Sequence, residues 1–309
     1  MMRDKVIELL FSGEKTQREI TSLLRASRSR VSELLNQLEK RGFVSRKRVG
    51  GRTVVVSLNT ERTLRVGILK SSEYFHVLAA ARSLEKEFLV RIKVYDNSLE
   101  ALKSLLVGEE DLVTSPLVSG FFFHMIDSNV KPIAAVAKGG SGIISRRESG
   151  LIGTTPLSSM DRESMRVKSY TRTYFKSVEE ILKAYRDGQI DAASIWEPFL
   201  SMNGGSLYRS DSVCCCVFTT KTTKAVTTFK KKYLMSIEKG TDCRKRKEIC
   251  NSLASILGVE FADVERSLSS YEFTSNVDRN DATRQISEFG FSVEKGVDQF
   301  LEKCPKVPV

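Results

Sequence analysis

The chain has few of the residues on which most enzyme and metal sites depend. Histidine occurs twice, at His76 and His124, and tryptophan once, at Trp196. General acid–base chemistry and histidine-rich metal sites therefore have little to draw on. None of the six cysteines forms a Cys-x-x-Cys pair, a pattern that favours reduced thiols in the cytoplasm over a disulfide framework. We expect no enzymatic activity, no bound metal and no cofactor.

Long apolar runs are also absent. The chain is 41% hydrophobic, yet it contains no stretch of about 18 apolar residues and so predicts no membrane span. Its first residues show no apolar signal-peptide core, which points to a cytoplasmic location. With 309 residues, the chain is long enough for two or three domains.

Positive charge is concentrated at the N-terminus. The whole chain holds 49 Lys and Arg against 38 Asp and Glu, a net charge of +11. Residues 1–62 hold 14 against 7, a net of +7, whereas the remaining residues hold 35 against 31, a net of +4. A basic segment of this kind suits contact with nucleic-acid phosphates. A solvated face of a small protein-interaction domain is the alternative.

The same segment shows three helices followed by a hairpin. Thr16 and Glu19 form a capping-box pattern at the start of the second helix. Ser27 caps the third helix, whose apolar positions have helical spacing: Val31, Leu34, Leu35 and Leu38. Gly42 then provides a helix stop. Two strand-like runs surround Gly50-Gly51, which predicts a β-hairpin.

In this order, residues 1–60 resemble the winged helix-turn-helix regulators of bacteria and archaea. The resemblance implies that the third helix reads bases in the major groove of double-stranded DNA while the hairpin, or wing, holds phosphates. The expected base readers are Arg28, Ser29, Arg30 and Ser32. The expected phosphate contacts are Arg46, Lys47, Arg48 and Arg52. Such domains usually work as symmetric dimers, so we expect a homodimer.

From Leu64 onward, strands and helices alternate. This pattern predicts an α/β domain over residues 64–309, built from right-handed βαβ units with a mostly parallel sheet. Helical patterns dominate the C-terminal part: 222–238, 244–257, 260–270 and 282–303.

A series of short motifs in this part carries a second resemblance. In chain order they are Gly67-Ile68-Leu69, Glu110 to Pro116, Ala135 to Gly142, Ile152 to Ser159, Asp187 to Ala193, and Ile195 to Pro198. Their order and spacing are similar to those of type II periplasmic solute-binding proteins, in the branch that handles nitrate, sulfonates, taurine and thiamine-pyrimidine precursors. The resemblance implies two α/β lobes that close on a ligand, one at 64–145 with 217–309 and the other at 146–216.

Ligand contacts are expected at the carboxyl ends of the strands. The candidates are Lys70, Ser71, Tyr74, Thr114, Ser115, Ser141, Thr155, Ser158, Ser159, Trp196 and Glu197. Lys70 suits an anionic ligand, the helix start at Ser158 offers free N–H groups, and Trp196 suits a planar ligand. The alternatives are plain helix caps for the Ser and Thr residues and a hinge-holding role for Glu197.

Three consecutive cysteines, Cys214 to Cys216, lie in a predicted strand. Here the chain resembles the fungal thiamine-pyrimidine synthases, which carry Cys-Cys-Cys-Phe-Cys, but Phe218 stands at the last cysteine position. The lysine and histidine of those enzymes align with Ser115 and Ser119. Since strand residues alternate between faces, only Cys214 and Cys216 are expected to share one. A buried role on a central strand is favoured.

Together these patterns predict a ligand-responsive transcriptional regulator. A small molecule held between the two lobes would control DNA binding, and a thiamine pyrimidine precursor is the first candidate. Sulfonates, nitrate and small aromatic acids remain open. One alternative is a synthase-like enzyme with a DNA-binding appendage. Another is a DNA-binding protein whose second domain has lost its ligand and serves only for assembly.

Overall fold

Three helices and a small sheet form the N-terminal part of the computed structural model, which describes residues 2–50, 53–207, 212–291 and 296–305. The elements are α1 (Met2–Phe11), β1 (Lys15–Thr16), α2 (Gln17–Leu23), α3 (Arg28–Lys40), β2 (Val44–Arg48) and β3 (Val54–Leu58). The sheet order is β1-β3-β2, with β2 and β3 antiparallel. The predicted helices and hairpin are confirmed, whereas β1 is an element that the sequence did not indicate.

Local capping and apolar spacing explain these helices. The Thr16 hydroxyl accepts a hydrogen bond from the Glu19 backbone, and the Glu19 carboxylate accepts one from the Thr16 backbone. Ser27 caps α3. One buried face of each helix meets β3 in a single core, formed by Val6, Leu10, Ile20, Val31, Leu35, Leu38, Phe43, Val44, Val56 and Leu89.

The chain forms two units. The first comprises the chain up to Leu64 together with Leu84–Val90 and Thr223–Ala225, and the second comprises the rest. The second unit contains or continues the elements β4 (Thr63–Leu69), α4 (Phe75–Ser83), β5 (Leu89–Tyr95), α5 (Ser98–Leu106), β6 (Leu112–Pro116), α6 (Leu117–Ile126), β7 (Lys131–Gly139), β8 (Ser141–Ser145), β9 (Gly150–Thr154), α7 (Ser159–Arg166), β10 (Tyr170–Tyr174), α8 (Val178–Arg186), β11 (Ala192–Trp196), α9 (Phe199–Met202), β12 (Ser206–Leu207), β13 (Val213–Thr219), α10 (Lys224–Glu238), α11 (Lys247–Leu257), α12 (Phe261–Ser267), β14 (Tyr271–Phe273), α13 (Arg279–Glu288) and α14 (Val297–Leu301).

Two sheets organise this unit. The first has six strands in the order β14-β7-β13-β6-β4-β5, and the second has five in the order β10-β9-β11-β8-β12. The α/β class is therefore confirmed. The expectation of mostly parallel sheets is wrong, because β13 runs antiparallel to both of its neighbours and β8 runs antiparallel to β11 and β12. Both antiparallel strands lie next to points where the chain passes from one sheet to the other.

The passage points also locate the two lobes. The chain leaves the six-stranded sheet after Gly139 and enters the five-stranded sheet at Ser141. It returns to the six-stranded sheet at Val213. The lobe limits drawn from the resemblance, 145/146 and 216/217, each lie a few residues beyond these points. β8 thus belongs with the second lobe, and all of β13 with the first.

The C-terminal part departs from the sequence-based expectation in three ways. The residues after α12 form the edge strand β14 on β7, and the expected helix at 282–303 is divided into α13 and α14. Cys243 and Cys250 form a disulfide, although fully reduced thiols were expected. The remaining four cysteines are free and buried. No helix in the described ranges combines the length and the apolar character needed to cross a membrane.

Candidate functional site

The start of α3 presents the predicted base-reading side chains. Arg28, Ser29 and Arg30 are exposed on its first turn, and Ser32 is half-buried. The Ser27 hydroxyl accepts a hydrogen bond from the Arg30 backbone N–H at 3.4 Å, which fixes where the helix begins. This turn therefore offers two exposed guanidinium groups beside a helix N-terminus, a combination suited to DNA.

In the described part of the wing, two basic side chains are exposed. Lys47 and Arg48 are exposed at the end of β2. Arg46 is half-buried, and its Nε donates to the Glu39 carboxylate on α3 at 2.9 Å. Arg46 therefore ties the wing to α3, so its expected role in holding a phosphate is not supported. Arg52 lies outside the described residues.

A cavity of about 390 Å³ lies between the two sheets of the second unit. It lies at the carboxyl end of β4, as expected for an α/β sheet. Six of the predicted ligand residues line it: Ser71, Tyr74, Ser141, Thr155, Ser158 and Trp196. Residues from both lobes thus contribute to one cleft of a size that suits a small ligand.

Five predicted residues do not line this cleft: Lys70, Thr114, Ser115, Ser159 and Glu197. The Lys70 ammonium is held by two carboxylates, 2.7 Å from Glu179 Oε1 and 3.1 Å from Asp96 Oδ1. Glu197 is buried and accepts hydrogen bonds from Ser201 and Ser270, so it holds the chain beside β11. Thr114 and Ser115 are buried within β6, and Ser159 is buried at the start of α7.

The helix start at Ser158 is already occupied by groups of the protein. The Ser158 hydroxyl donates to the Thr155 carbonyl and accepts from the Asp161 N–H. The Asp161 carboxylate accepts from the Leu157 N–H at 3.0 Å and from Arg172 at 2.9 Å. Because this carboxylate stands at the first turn of α7, the helix N-terminus is a weaker anion site than the sequence implied.

Glu73 is the most informative residue that the sequence analysis missed. Its side chain lines the cleft from the 3₁₀ turn after β4 and is only 4% exposed. Burial raises the pKa of its carboxyl to about 7, and nearby neutral groups of Cys215, Tyr74 and Ser71 offset this only in part. Its position just beyond a strand end was a usable signal, since that edge of the sheet was already expected to bind ligand.

The two cysteines nearest the cleft contradict the expected alternation. The Sγ atoms of Cys214 and Cys215 are 3.6 Å apart, and both residues line the cavity. The reason is an irregular register between β13 and β7, a bulge that interrupts alternation at this point. Cys216 instead packs in the core of the six-stranded lobe. The predicted buried position on a central strand is confirmed.

Glu73, Cys214 and Cys215 place one donor atom each within 4.8 Å of one another. Among the described residues this is the one such group of three with the spacing of metal ligands. Burial raises the pKa of the Cys215 thiol well above its ordinary value, and Tyr74 Oη donates to its sulfur at 3.4 Å. A metal ion here would have to displace the proton of that thiol.

Further aromatic residues complete the wall of the cleft. The rings of Tyr174, Phe175 and Tyr271 line it together with Tyr74 and Trp196. Gly139 and Gly140, at the passage between the sheets, have φ of +78° and +71°. A Cβ at Gly140 would lie 1.8 Å from the Tyr271 ring, so a glycine at this position permits the ring to lie against the backbone.

The N-terminal segment matches a known protein family. Residues 7–61 match the family described as "Sugar-specific transcriptional regulator TrmB". The first unit carries a TrmB-type helix-turn-helix domain. Because the match ends at residue 61, the sugar in that description says nothing about the cleft. Among curated proteins, none matches the chain.

The second unit has the fold of periplasmic solute-binding proteins. The ligand-binding component of an ABC-type import system from Staphylococcus aureus, solved with zinc bound, is 13% identical, with a TM-score of 0.65 over 78% of this chain and 96% of that chain. The periplasmic nitrate-binding protein of Synechocystis is 10% identical, with a TM-score of 0.65 over 79% and 86%. The alkanesulfonate-binding protein of Xanthomonas axonopodis, bound to MOPS, is 17% identical, with a TM-score of 0.57 over 79% and 95%. The expected combination of a regulator domain with this fold is confirmed.

Proposed function

We propose that this protein is a transcriptional regulator whose affinity for DNA is controlled by a small molecule bound in the cleft of its second unit. The observation that carries the proposal is the presence, in one chain, of a TrmB-type domain with exposed Arg28 and Arg30 and of a binding-protein fold with a cleft of about 390 Å³. A regulator domain and a ligand cleft in one chain are the two parts that such control requires.

In this proposal, α3 reads base edges and the wing contacts phosphates. Arg28, Ser29, Arg30 and Ser32 contact bases, while Lys47 and Arg48 contact the backbone. The protein acts as a homodimer on two half-sites.

A cytoplasmic location follows from the need to reach DNA. The Cys243–Cys250 disulfide would then be reduced in the cytoplasm. Counting the free thiols of the protein isolated from freshly lysed cells checks this.

The proposed ligand remains a thiamine pyrimidine precursor in the first instance. The aromatic wall of the cleft supports a planar molecule of this kind over nitrate or an aliphatic sulfonate. No specific arrangement favours the synthase-like alternative. Ser115 and Ser119 are buried where its lysine and histidine would be, and the His124 ring contacts the Val130 carbonyl at 2.8 Å.

The test combines selection of DNA sequences with a ligand screen on the full chain. Selection from a random duplex library identifies the operator, and its binding is then measured with and without each candidate ligand. A thiamine pyrimidine precursor present at about 100 times its dissociation constant should add about 2.7 kcal/mol of stability and change operator affinity. Failure to enrich any duplex would refute the DNA-binding part. Stabilisation without any change in operator affinity would refute the coupling.

A further inference from the structure

Glu73 is a buried carboxylate for which the described residues offer no counter-charge. Its Oε2 has no hydrogen-bond partner among them, and none of their Lys or Arg side chains forms an ion pair with it. The groups close to it, on Ser71, Tyr74 and Cys215, are neutral. Buried carboxylates are normally paired or fully hydrogen-bonded, because removing the charge from water is costly. Glu73 also lines the cleft, so a ligand that carries positive charge and donates hydrogen bonds would supply the partner that the described residues do not give this carboxylate.

The other charges of the cleft do not favour an anion. Lys70, the cation expected to hold one, is neutralised by Asp96 and Glu179. Among the described residues that line the cavity, the charged side chains are Glu73, Asp96 and Glu100 on the acidic side and Lys176 on the basic side. An anionic ligand would meet more repulsion than attraction here, whereas a cation would be attracted.

The polar ends of the aromatic residues are used within the protein. Trp196 Nε1 donates to the Lys70 carbonyl at 2.6 Å, and Tyr74 Oη donates to Cys215 Sγ. Tyr271 Oη lies 3.2 Å from Ser71 Oγ and 3.3 Å from the Glu197 carbonyl oxygen. What these side chains offer a ligand is therefore mainly the faces and edges of their rings, which stack on planar molecules and attract cations.

We propose that the cleft selects a planar ligand that carries an amidine-like edge, such as an amidinium group or a protonated aminoheterocycle, and that Glu73 recognises that edge. An N–H group on that edge donates a charge-assisted hydrogen bond to the Glu73 carboxylate. The ring of the ligand lies among the aromatic side chains. This inference rests on the proposed function only in that the cleft binds a small molecule, and it requires nothing of the DNA-binding unit.

The experiment uses three probes of one shape and different charge on the full chain: benzamidine, benzamide and benzoate. Binding is measured by calorimetry in the presence of EDTA. Benzamidine should bind most tightly and benzoate least. Glu73→Gln, which keeps the shape of the side chain and removes its charge, should weaken benzamidine binding by about 10- to 100-fold. Glu100→Gln removes an exposed carboxylate of the same cleft and should weaken binding by less than about 5-fold.

Three results overturn the inference: equal or tighter binding of benzamide or benzoate, no binding of any probe, and benzamidine binding that is seen only when EDTA is replaced by Zn²⁺. The last result would assign Glu73 to a metal ion together with Cys214 and Cys215. Glu73→Asp, which keeps the charge but shortens its reach, gives an intermediate loss if the inference holds, and serves if the Gln variant fails to fold. Charge selectivity without operator binding would refute only the proposed regulator, whereas operator binding without charge selectivity would refute only this inference.

Discussion

Burial raises the pKa of the Glu73 carboxyl from its ordinary value of 4.5 to about 7. Between these two pH values the folded protein holds a proton that the unfolded chain releases. The free energy of unfolding therefore falls as the pH rises through this window, and the whole penalty is present above pH 7. A residue that lines the cleft thus destabilises the ligand-free protein.

Glu73→Gln should consequently stabilise the ligand-free protein. At pH 8, with EDTA present, we expect the free energy of unfolding to rise by up to about 3 kcal/mol, since each pKa unit corresponds to about 1.4 kcal/mol. At pH 4 the carboxyl is protonated in the folded state, and the gain should disappear. Urea unfolding at the two pH values measures the difference. An equal gain at both would show that charge is not its cause, and Glu100→Gln should change neither.

A single glycine sets the distance between a helix and a strand. Gly120 lies on α6 directly over Phe218 of β13, and a Cβ there would lie 2.1 Å from the Phe218 ring. Phe218 is fully buried in the core of the six-stranded lobe and cannot move aside cheaply. The small residue therefore permits α6 to pack closely on the sheet.

Gly120→Ala should destabilise the protein by about 1–3 kcal/mol through this clash, despite the higher helix propensity of alanine. Met125→Ala on the same helix is a matched control, because Met125 is about half exposed and should change the free energy of unfolding by less than about 0.5 kcal/mol. Thermal unfolding of both variants provides the comparison. A neutral or stabilising Gly120→Ala would show that the helix can shift without cost.

At the scale of elements, the proposed docking assigns base reading and backbone contact to different parts of the N-terminal unit. Arg30 lies on the first turn of α3, and Arg48 lies at the end of β2 in the wing. Bases are distinguished in the major groove, while phosphates are alike in every sequence. The two elements should therefore respond differently to the loss of one arginine.

Arg30→Ala should reduce the preference for the operator over unrelated duplexes by about 1–3 kcal/mol, whereas Arg48→Ala should weaken binding to all duplexes alike and make the salt dependence less steep. Fluorescence anisotropy over a series of salt concentrations distinguishes the two patterns. The reverse assignment, or no effect from either variant, would contradict the proposed docking. Glu33→Ala, exposed on α3, tests whether any change on this helix has the same effect.

The elements that the sequence could predict are those specified locally. The Thr16–Glu19 capping box and the Ser27 cap depend on residues within one turn, and both are present. β1 has only two residues and pairs with Val55 and Val56 far along the chain, so no local sequence pattern predicts it. The bulge in β13, which brings Cys214 beside Cys215, depends on the register with β7 and was equally invisible.

The candidate site could also be predicted only where it depends on local pattern. Six of the expected ligand residues line the cleft because strand ends meet at one edge of a sheet. The ion pairs of Lys70 could not be predicted, because its partners, Asp96 and Glu179, come from distant parts of the chain. Glu73 was missed because burial, not residue type, gives that carboxyl its character.

At the scale of the whole molecule, the proposed regulator should act as a dimer. A symmetric pair of helix-turn-helix units reads two half-sites separated by about one helical turn of DNA, roughly 34–36 Å. Footprinting on the selected operator should therefore show two protected segments with this spacing, and sedimentation should give a dimer at the concentrations used. A single protected half-site bound by a monomer would contradict the proposal.

The ion pair between Lys70 and Glu179 joins the two lobes, since Lys70 follows β4 and Glu179 lies on α8 of the other lobe. Glu179 is about half exposed, so ions in solution screen this attraction. If the proposed ligand is bound between the lobes, it should dissociate faster as the salt concentration rises. The ionic strength of the cell would then influence how long the ligand stays bound after its free concentration has fallen.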